Sequence, residues 1–329
     1  MAKLASAFAV GISCLMHALC SQGAAAQSTY PDRPIKLIVP FPPGGVYDAI
    51  ARPLADRLKA PLGTVVIENL GGAGGSRGST IVARAEPDGY TLLLGGTATH
   101  VITPLAARRP VFDPAKDFEP IARLAIVGLS IVAHPGAPVR DFTSLIAYAK
   151  ANPGKLSYGT PGAGTTNHFA GELFKSLAQV PGIVHVPYTG AGPALNDLVG
   201  GHIPLAVVNV TGQVLELRSA GKLVMLAMTT PQRMPYAPDI PTAEESGVKG
   251  LLAQTFFGLF APKDTPKAVI DRIASSIVKA LAEKELQDLY AKAGFSVDRE
   301  TGPAHLRDFL AAELMRWKPV VDASGFKID

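Results

Sequence analysis

Three glycine-rich segments hold the residues best suited to chemistry in this sequence: PFPPGGVYD (Pro40–Asp48), NLGGAGG (Asn69–Gly75) and YGTPGAGTTNH (Tyr158–His168). Each follows a short apolar run that reads as a strand, and each leads into a helical pattern. The chemistry on offer is anion binding. The first N–H groups of a helix have no partner within it, and the helix dipole adds positive potential there, so a carboxylate is favoured at that end. Glycine lets the backbone come close to such a ligand. Thr165 and Thr166 add hydroxyls able to cap the helix or to donate to a carboxylate. Asp48 is placed to cap its own helix, to hold the Gly44-Gly45 turn, or to touch a ligand. No Lys or Arg lies in the first or third segment, so recognition would rest on N–H groups and hydroxyls; Arg77, just past the second, reads as a solvated side chain. Any one segment alone is equally an ordinary tight turn. Three in separate parts of the chain favour two anion-binding loops that face each other and grip a ligand with a carboxylate at each end.

Catalytic motifs are weaker. Gly74-Gly75-Ser76-Arg77-Gly78 matches G-x-S-x-G, but the preceding strand ends near Glu68, several residues too early for a nucleophile elbow at Ser76. A run from Gly72 nearly fits G-x-G-x-x-G, with Arg77 in the third glycine position, and no P-loop pattern is present. His168 and Glu172 are four apart on a predicted helix, a metal-binding spacing without a third ligand; His168 reads rather as orienting its loop by a hydrogen bond. A hydrolase using Ser76 or Thr165 with His168 lacks a convincing triad. The expectation is a protein with no catalytic residue, no cofactor and no metal.

The elements that must position these loops follow from the apolar pattern. Ile35–Val39, Val65–Glu68 and Tyr90–Leu94 read as strands, with helices near Tyr47–Leu58 and Ser79–Ala85 between them. That order implies a parallel sheet with right-handed crossovers. The rhythm restarts with strands at Ile131–His134, Leu156–Gly159, Val184–Pro187, Leu205–Asn209 and Val224–Met228, and helices at Phe142–Ala151, Thr165–Ala178 and Pro193–Val199. A strand at Phe256–Phe260 and helices at Pro266–Ala282, Lys284–Ala293 and Pro303–Ala323 complete the chain; in the first of these helices Val269, Ile273, Ile277 and Leu281 make one apolar face. Two α/β units imply two lobes. The switch falls near Ala125–Ser130, and Phe256–Phe260 returns the chain to the first lobe. The expected division is 27–127 plus 253–329 for one lobe and 128–252 for the other.

Composition narrows the class. Of 329 residues 47% are hydrophobic and 18% charged, enough for a large core. The net charge of +4 is dispersed, without the clustered basic face that nucleic acid requires. Residues 1–26 read as a secretory signal peptide: Lys3, an apolar stretch from Leu4 to Cys20, then Ala24-Ala25-Ala26 before Gln27. Both cysteines, Cys14 and Cys20, fall inside it, so the chain beyond has neither disulfides nor thiolate chemistry. A soluble periplasmic protein is expected.

The runs YPDRPIKLIVPFPPGGVYD (Tyr30–Asp48), ENLGGAGGSRG, PDGYTLLLG, ANPGKLSYGTPGAGTTNHFAGELFK, HVPYTGAGPALNDLVGG and AELMRW resemble, in order and across nearly the whole chain, the Bug-type extracytoplasmic receptors of the tripartite tricarboxylate transporter family. The resemblance implies a two-lobed periplasmic-binding-protein fold (type II-like) with a ligand cleft between the lobes. It implies a small organic carboxylate held mainly by main-chain groups of the matching loops. Carried over, Thr165 and Thr166 are hydroxyl donors, and Gly44, Gly45, Ala73, Gly74 and Gly164 are backbone contacts. Phe41, Pro43, Tyr47, Asp48, Thr160 and His168 belong to the same loops, and Thr97 and Asn209 line the cleft. The chain departs from the family in having Val208 where an Asp is frequent, and Val46 and Tyr47 where small residues are common; Tyr47 would narrow the pocket or add a phenol hydrogen bond. The implied function is delivery of the ligand, by cleft closure, to membrane subunits of a tripartite transporter, with signalling to a sensor kinase as the alternative. A monomer is expected.

Overall fold

In the computed structural model, which describes residues 30–297 and 301–328, the elements run β1 (Ile35–Val39), α1 (Val46–Leu62), β2 (Val65–Asn69), α2 (Ser76–Ala83), β3 (Thr91–Gly96), α3 (Thr103–Ala106), β4 (Phe118–Ala133), α4 (Phe142–Ala151), β5 (Ser157–Thr160), α5 (Thr166–Leu177), β6 (Val184–Pro187), α6 (Ala191–Val199), β7 (Leu205–Asn209), α7 (Gly212–Ser219), β8 (Val224–Met228), β9 (Gln254–Pro262), α8 (Lys267–Ala282), α9 (Lys284–Lys292), β10 (Phe295–Val297) and α10 (Pro303–Ser324). A π-helical turn, Ala98–Ile102, joins β3 to α3. The proposed signal peptide lies outside the described residues.

β1 pairs in parallel with β2 and β3, as the βαβαβ order requires. The parallel sheet expected of the whole unit stops there. β3 next pairs antiparallel with β9, and β9 antiparallel with β4, so the sheet is mixed. The sequence pattern missed this because β4 is sixteen residues long and nearly all buried. A strand buried on both faces loses the period-two alternation that marks its length. Only its end, near Ile131, stood out.

β4 changes partners along its course. Glu119 to Gly128 face β9, and Ala125 to Val127 also pair with β10. From Leu129 onward the partners are β7 and β8. β5 then pairs in parallel with β6 and β7. Among the described residues β9 pairs with β3 and β4. Just before it, Ala253 N–H donates to Thr229 O at 2.7 Å. α7 and β10 were not foreseen. α7 buries only Val214, and β10 is three residues long, so neither leaves a periodic signature.

On one face of the β1–β3 sheet, α1 and α8 bury Ile50, Leu54, Ile273 and Ile277. Here Ile270 is buried while Val269 is only partly so, a small shift of the predicted stripe. On the other face a second core runs on from Val82 and Leu93 to Phe142 and Phe169, through Leu306, Leu310, Trp317 and Val321 of α10. Trp317 is fully buried and its Nε1–H donates to Glu313 Oε2 at 3.1 Å. Burying a large side chain contributes roughly 1.5–3 kcal/mol, so the C-terminal helix is a principal fixture of the fold.

Candidate functional site

The first glycine-rich loop is shaped by Asp48. Its Oδ2 accepts from Gly44 N–H at 3.0 Å and Arg52 Nε at 2.7 Å. Its Oδ1 accepts from Arg52 Nη2 and from Asn69 Nδ2, both at 3.1 Å. Burial pushes this carboxyl up, but the donors from Arg52, Gly44 and Asn69 outweigh it and hold the group below the usual range. Asp48 therefore holds the turn, and its oxygens are committed within the protein. Asn69 also donates to Phe41 O at 3.1 Å, fastening the end of β2 to the same loop. Arg52 and Asn69 were missed by sequence reasoning; an i,i+4 Asp–Arg pair was legible, a contact between residues 48 and 69 was not. Gly45 is the N-cap of α1 and no side chain caps that helix. The N–H groups of Val46 and Tyr47 make no hydrogen bond among the described residues. Pro43 is exposed and Phe41 half-buried.

Tyr47 does not stand free in a pocket. It is 4% exposed, its ring 4.4 Å from that of Phe41 and 4.9 Å from that of Phe257. Its hydroxyl, near Ala98 and Thr99, is buried without a well-formed hydrogen bond, and burial raises its pKa.

The second loop tightens into a 3₁₀ turn at Ala73–Gly75, with Ala73, Gly74 and Gly75 all at positive φ. A Cβ on Gly74 would lie 2.8 Å from Thr103 Oγ1, whose hydroxyl donates to Gly74 O at 3.0 Å. The turn is thus packed against the segment after β3. Ser76 opens α2 and makes no side-chain hydrogen bond among the described residues, so no base is positioned on it. Arg77 is exposed. Thr97 is fully buried; its Oγ1 donates to Gln254 O at 3.4 Å and accepts from Phe256 N–H at 2.9 Å. Asn209, at the end of β7, donates to Thr255 Oγ1 at 3.1 Å. Thr97 and Asn209 therefore meet neighbouring residues of β9.

In the third loop Thr165 caps α5, accepting from His168 N–H at 3.2 Å while its hydroxyl donates to Gly162 O at 2.7 Å. Its one hydrogen is thereby directed to Gly162 O. Thr166 differs: it is 4% exposed, and its hydroxyl makes no hydrogen bond among the described residues. The N–H groups of Thr166 and Asn167 are likewise unbonded there. His168 Nδ1 accepts from Gly164 N–H at 3.2 Å, so the imidazole orients its loop. Burial lowers the pKa of His168 against the opposing pull of Glu172, and Lys175 adds to the lowering. Glu172 accepts from Tyr158 at 2.7 Å and from Lys175 at 2.9 Å.

Gly164 has φ +77°, and a Cβ there would lie 3.0 Å from the ring of Phe326. Beyond Phe326, Ile328 N–H donates to Ala106 O at 2.8 Å and Ile328 O accepts from Arg108 N–H at 3.0 Å. The C-terminal residues thus connect the segment after β3, where the first two loops pack, to the third loop. Phe326 and His185 (below Thr160, at 2.7 Å) are further residues the sequence did not single out.

Comparison with known proteins places this geometry. Residues 50–326 match the model of the tripartite tricarboxylate transporter family receptor. The periplasmic binding protein BugD is 35% identical, with a TM-score of 0.78 over 91% of this chain and 99% of its own. MatC from Rhodopseudomonas palustris, solved with bound malate, is 30% identical, with a TM-score of 0.78 over 89% of this chain and all of its own. An R. palustris protein solved with adipate is 32% identical, with a TM-score of 0.80 over 91% of this chain and 99% of its own. The fold is that of these two-lobed periplasmic solute-binding proteins, and the chain belongs to the Bug-type receptors of the tripartite tricarboxylate transporter family.

Proposed function

We propose that this receptor captures a small organic carboxylate in the cleft between its lobes and delivers it to membrane subunits of a tripartite tricarboxylate-type transporter. The observation that carries the reading is the set of unbonded N–H groups at the starts of α1 (Val46, Tyr47) and α5 (Thr166, Asn167), with the free Thr166 hydroxyl beside them. Asp48 is bonded within its own loop, and Thr165 caps α5 only at His168 N–H, which leaves these four N–H groups unfilled. Two such ends suit a ligand with a carboxylate at each terminus. The malate and adipate of the two R. palustris proteins are of that kind.

In this reading one lobe comprises 27–127 and 253–329 and the other 128–252, after removal of a leader ending at Ala26 and export to the periplasm. The change of β4 partners at Gly128–Leu129 supports the division. Closure is driven by contacts that the ligand makes with both lobes only in the closed form, since only differential affinity shifts the population. No catalytic step and no cofactor enters.

The test is thermal unfolding of residues 27–329, denatured and refolded to strip bound ligand, against mono-, di- and tricarboxylates. At a hundred times Kd a ligand stabilises by about 2.7 kcal/mol, a rise in Tm of several degrees. No rise with any carboxylate in refolded protein overturns the reading.

A further inference from the structure

Beneath the third loop lies a pair of histidines that the binding reading does not use. The rings of His168 and His185 are stacked, 4.1 Å between centroids and 15° between planes. His168 belongs to α5, but His185 comes from β6, brought under the loop because β6 pairs with β5 in the register Tyr158↔His185 and Thr160↔Pro187. His185 Nε2 lies 2.7 Å from Thr160 Oγ1. Thr160 Oγ1 in turn lies 3.2 Å from Gly162 O, the carbonyl that also accepts from Thr165 at 2.7 Å.

A threonine hydroxyl has one hydrogen, and a peptide carbonyl only accepts. Thr160 Oγ1 also accepts from Gly162 N–H at 3.4 Å, and only one assignment makes the contacts to His185 and to Gly162 O hydrogen bonds as well. Thr160 donates to Gly162 O, and His185 Nε2–H donates to Thr160. The other tautomer of His185 would take the Thr160 hydrogen, so that Thr160 would no longer donate to Gly162 O and would hold Gly162 only by accepting its N–H. On the opposite side of the loop His168 Nδ1 accepts from Gly164 N–H. The loop between β5 and α5 is therefore held at two points by the stacked pair, one ring accepting and one donating.

We propose that His185 is a positioning residue for ligand binding: through Thr160 it fixes the Gly162 carbonyl, and so the direction in which the N–H groups of Thr166 and Asn167 face the carboxylate. This rests on the carboxylate-receptor reading. The groups that face His185 are the Tyr158 ring at 5.0 Å, His168, and the charges of Glu172 and Lys175 on α5. Phe326 of the C-terminal segment covers the far side of His168 at 5.2 Å. None of these supplies Thr160 with another donor.

Phe at position 185 keeps a flat ring for the stack and loses the donor; Gln returns an N–H at the reach of Nε2. In titrations with malate and adipate, H185F is expected to raise Kd roughly fivefold, the effect of one hydrogen bond. H185Q is expected to restore most of that loss. T160V is expected to match H185F, with the double variant no worse than either, because both break one chain of bonds. Imidazole nitrogen NMR of the free protein is expected to show His185 neutral with its proton on Nε2. Wild-type affinity in H185F, equal weakness of H185Q and H185F, or a proton on Nδ1 would each overturn the assignment. If H185F does not fold, T160V against T160S carries the same comparison. If the wild type binds neither acid nor any other carboxylate, the receptor reading fails and the role of His185 in binding falls with it, while the tautomer still reports on the His185–Thr160 bond.

Discussion

Phe326 lies against Gly164, so the extreme C-terminus of the chain touches the loop that starts α5. The absence of a side chain at Gly164 answers two demands at once. Its φ of +77° disfavours any Cβ, and the ring of Phe326 occupies the space a Cβ would enter, 3.0 Å away. The requirement for glycine thus comes in part from the protein's own tail, whereas the sequence pointed only to the close approach of a ligand.

Gly164→Val should weaken binding and also lower stability, by about 1–2 kcal/mol for the left-handed backbone alone. Adding Phe326→Ala should recover the part of the loss that comes from the clash. Calorimetric melting of the single and double variants separates the two contributions. Equal losses with and without Phe326 would show that backbone conformation is the whole cause.

Asp48 and Arg52 should behave unequally although they form one ion pair. The Asp48 side chain is 6% exposed and that of Arg52 56%. Asp48→Ala strands the Gly44 N–H and the Asn69 amide, about 1–3 kcal/mol of unfolding free energy, and releases the first loop. Arg52→Ala removes an exposed partner, screened by solvent, and should cost much less than Asp48→Ala. Denaturant melts, with carboxylate affinity measured alongside, check the ranking.

Stability should fall on acidification before the carboxylates titrate. Burial lowers His100 from 6.5 to about 3 and His185 from 6.5 to about 4, the latter helped by the charge of His168. His168 is lowered as well, burial again the main cause. Between the unfolded value and these folded values the unfolded chain binds the extra protons, so unfolding becomes easier as pH drops from about 6.5 towards 4. Each fully differential histidine contributes a slope of about 1.4 kcal/mol per pH unit. His100 stacks on Phe260 at 3.8 Å, its Nδ1 lies 2.9 Å from Thr99 Oγ1 and its Nε2 is buried without a partner among the described residues, so His100→Phe should flatten part of the slope. Melting free energy against pH for both proteins is the measurement; identical slopes would contradict the assignment.

How much of this the sequence carried depended on the range of the contact. Ile35–Val39, Val184–Pro187, Leu205–Asn209 and Val224–Met228 are strands with the ends their apolar runs implied. The three glycine segments do sit at strand-to-helix junctions, because Gly and Pro punctuate locally. What each polar side chain does there was less legible. Thr165 as cap or as donor, and Asp48 as fastener or as contact, were left open by local pattern. In the fold Thr165 meets His168 N–H and Gly162 O, and Asp48 meets Asn69, the last residue of β2. His185 reaches Thr160 only through the parallel register of β5 and β6, and Phe326 reaches Gly164 only after α10 has crossed the molecule. Neither leaves a mark in short-range spacing. β4 was under-read for the opposite reason, since an uninterrupted apolar run hides where the strand changes its pairing partners.

The most direct test of the central claim is amide NMR of residues 27–329 during titration with malate or adipate. The account predicts that the N–H signals of Val46 and Tyr47 and those of Thr166 and Asn167 shift together, with one Kd, because a single ligand engages both helix ends. Shifts confined to one of the two loops, or lying elsewhere while these four amides stay unmoved, would contradict it.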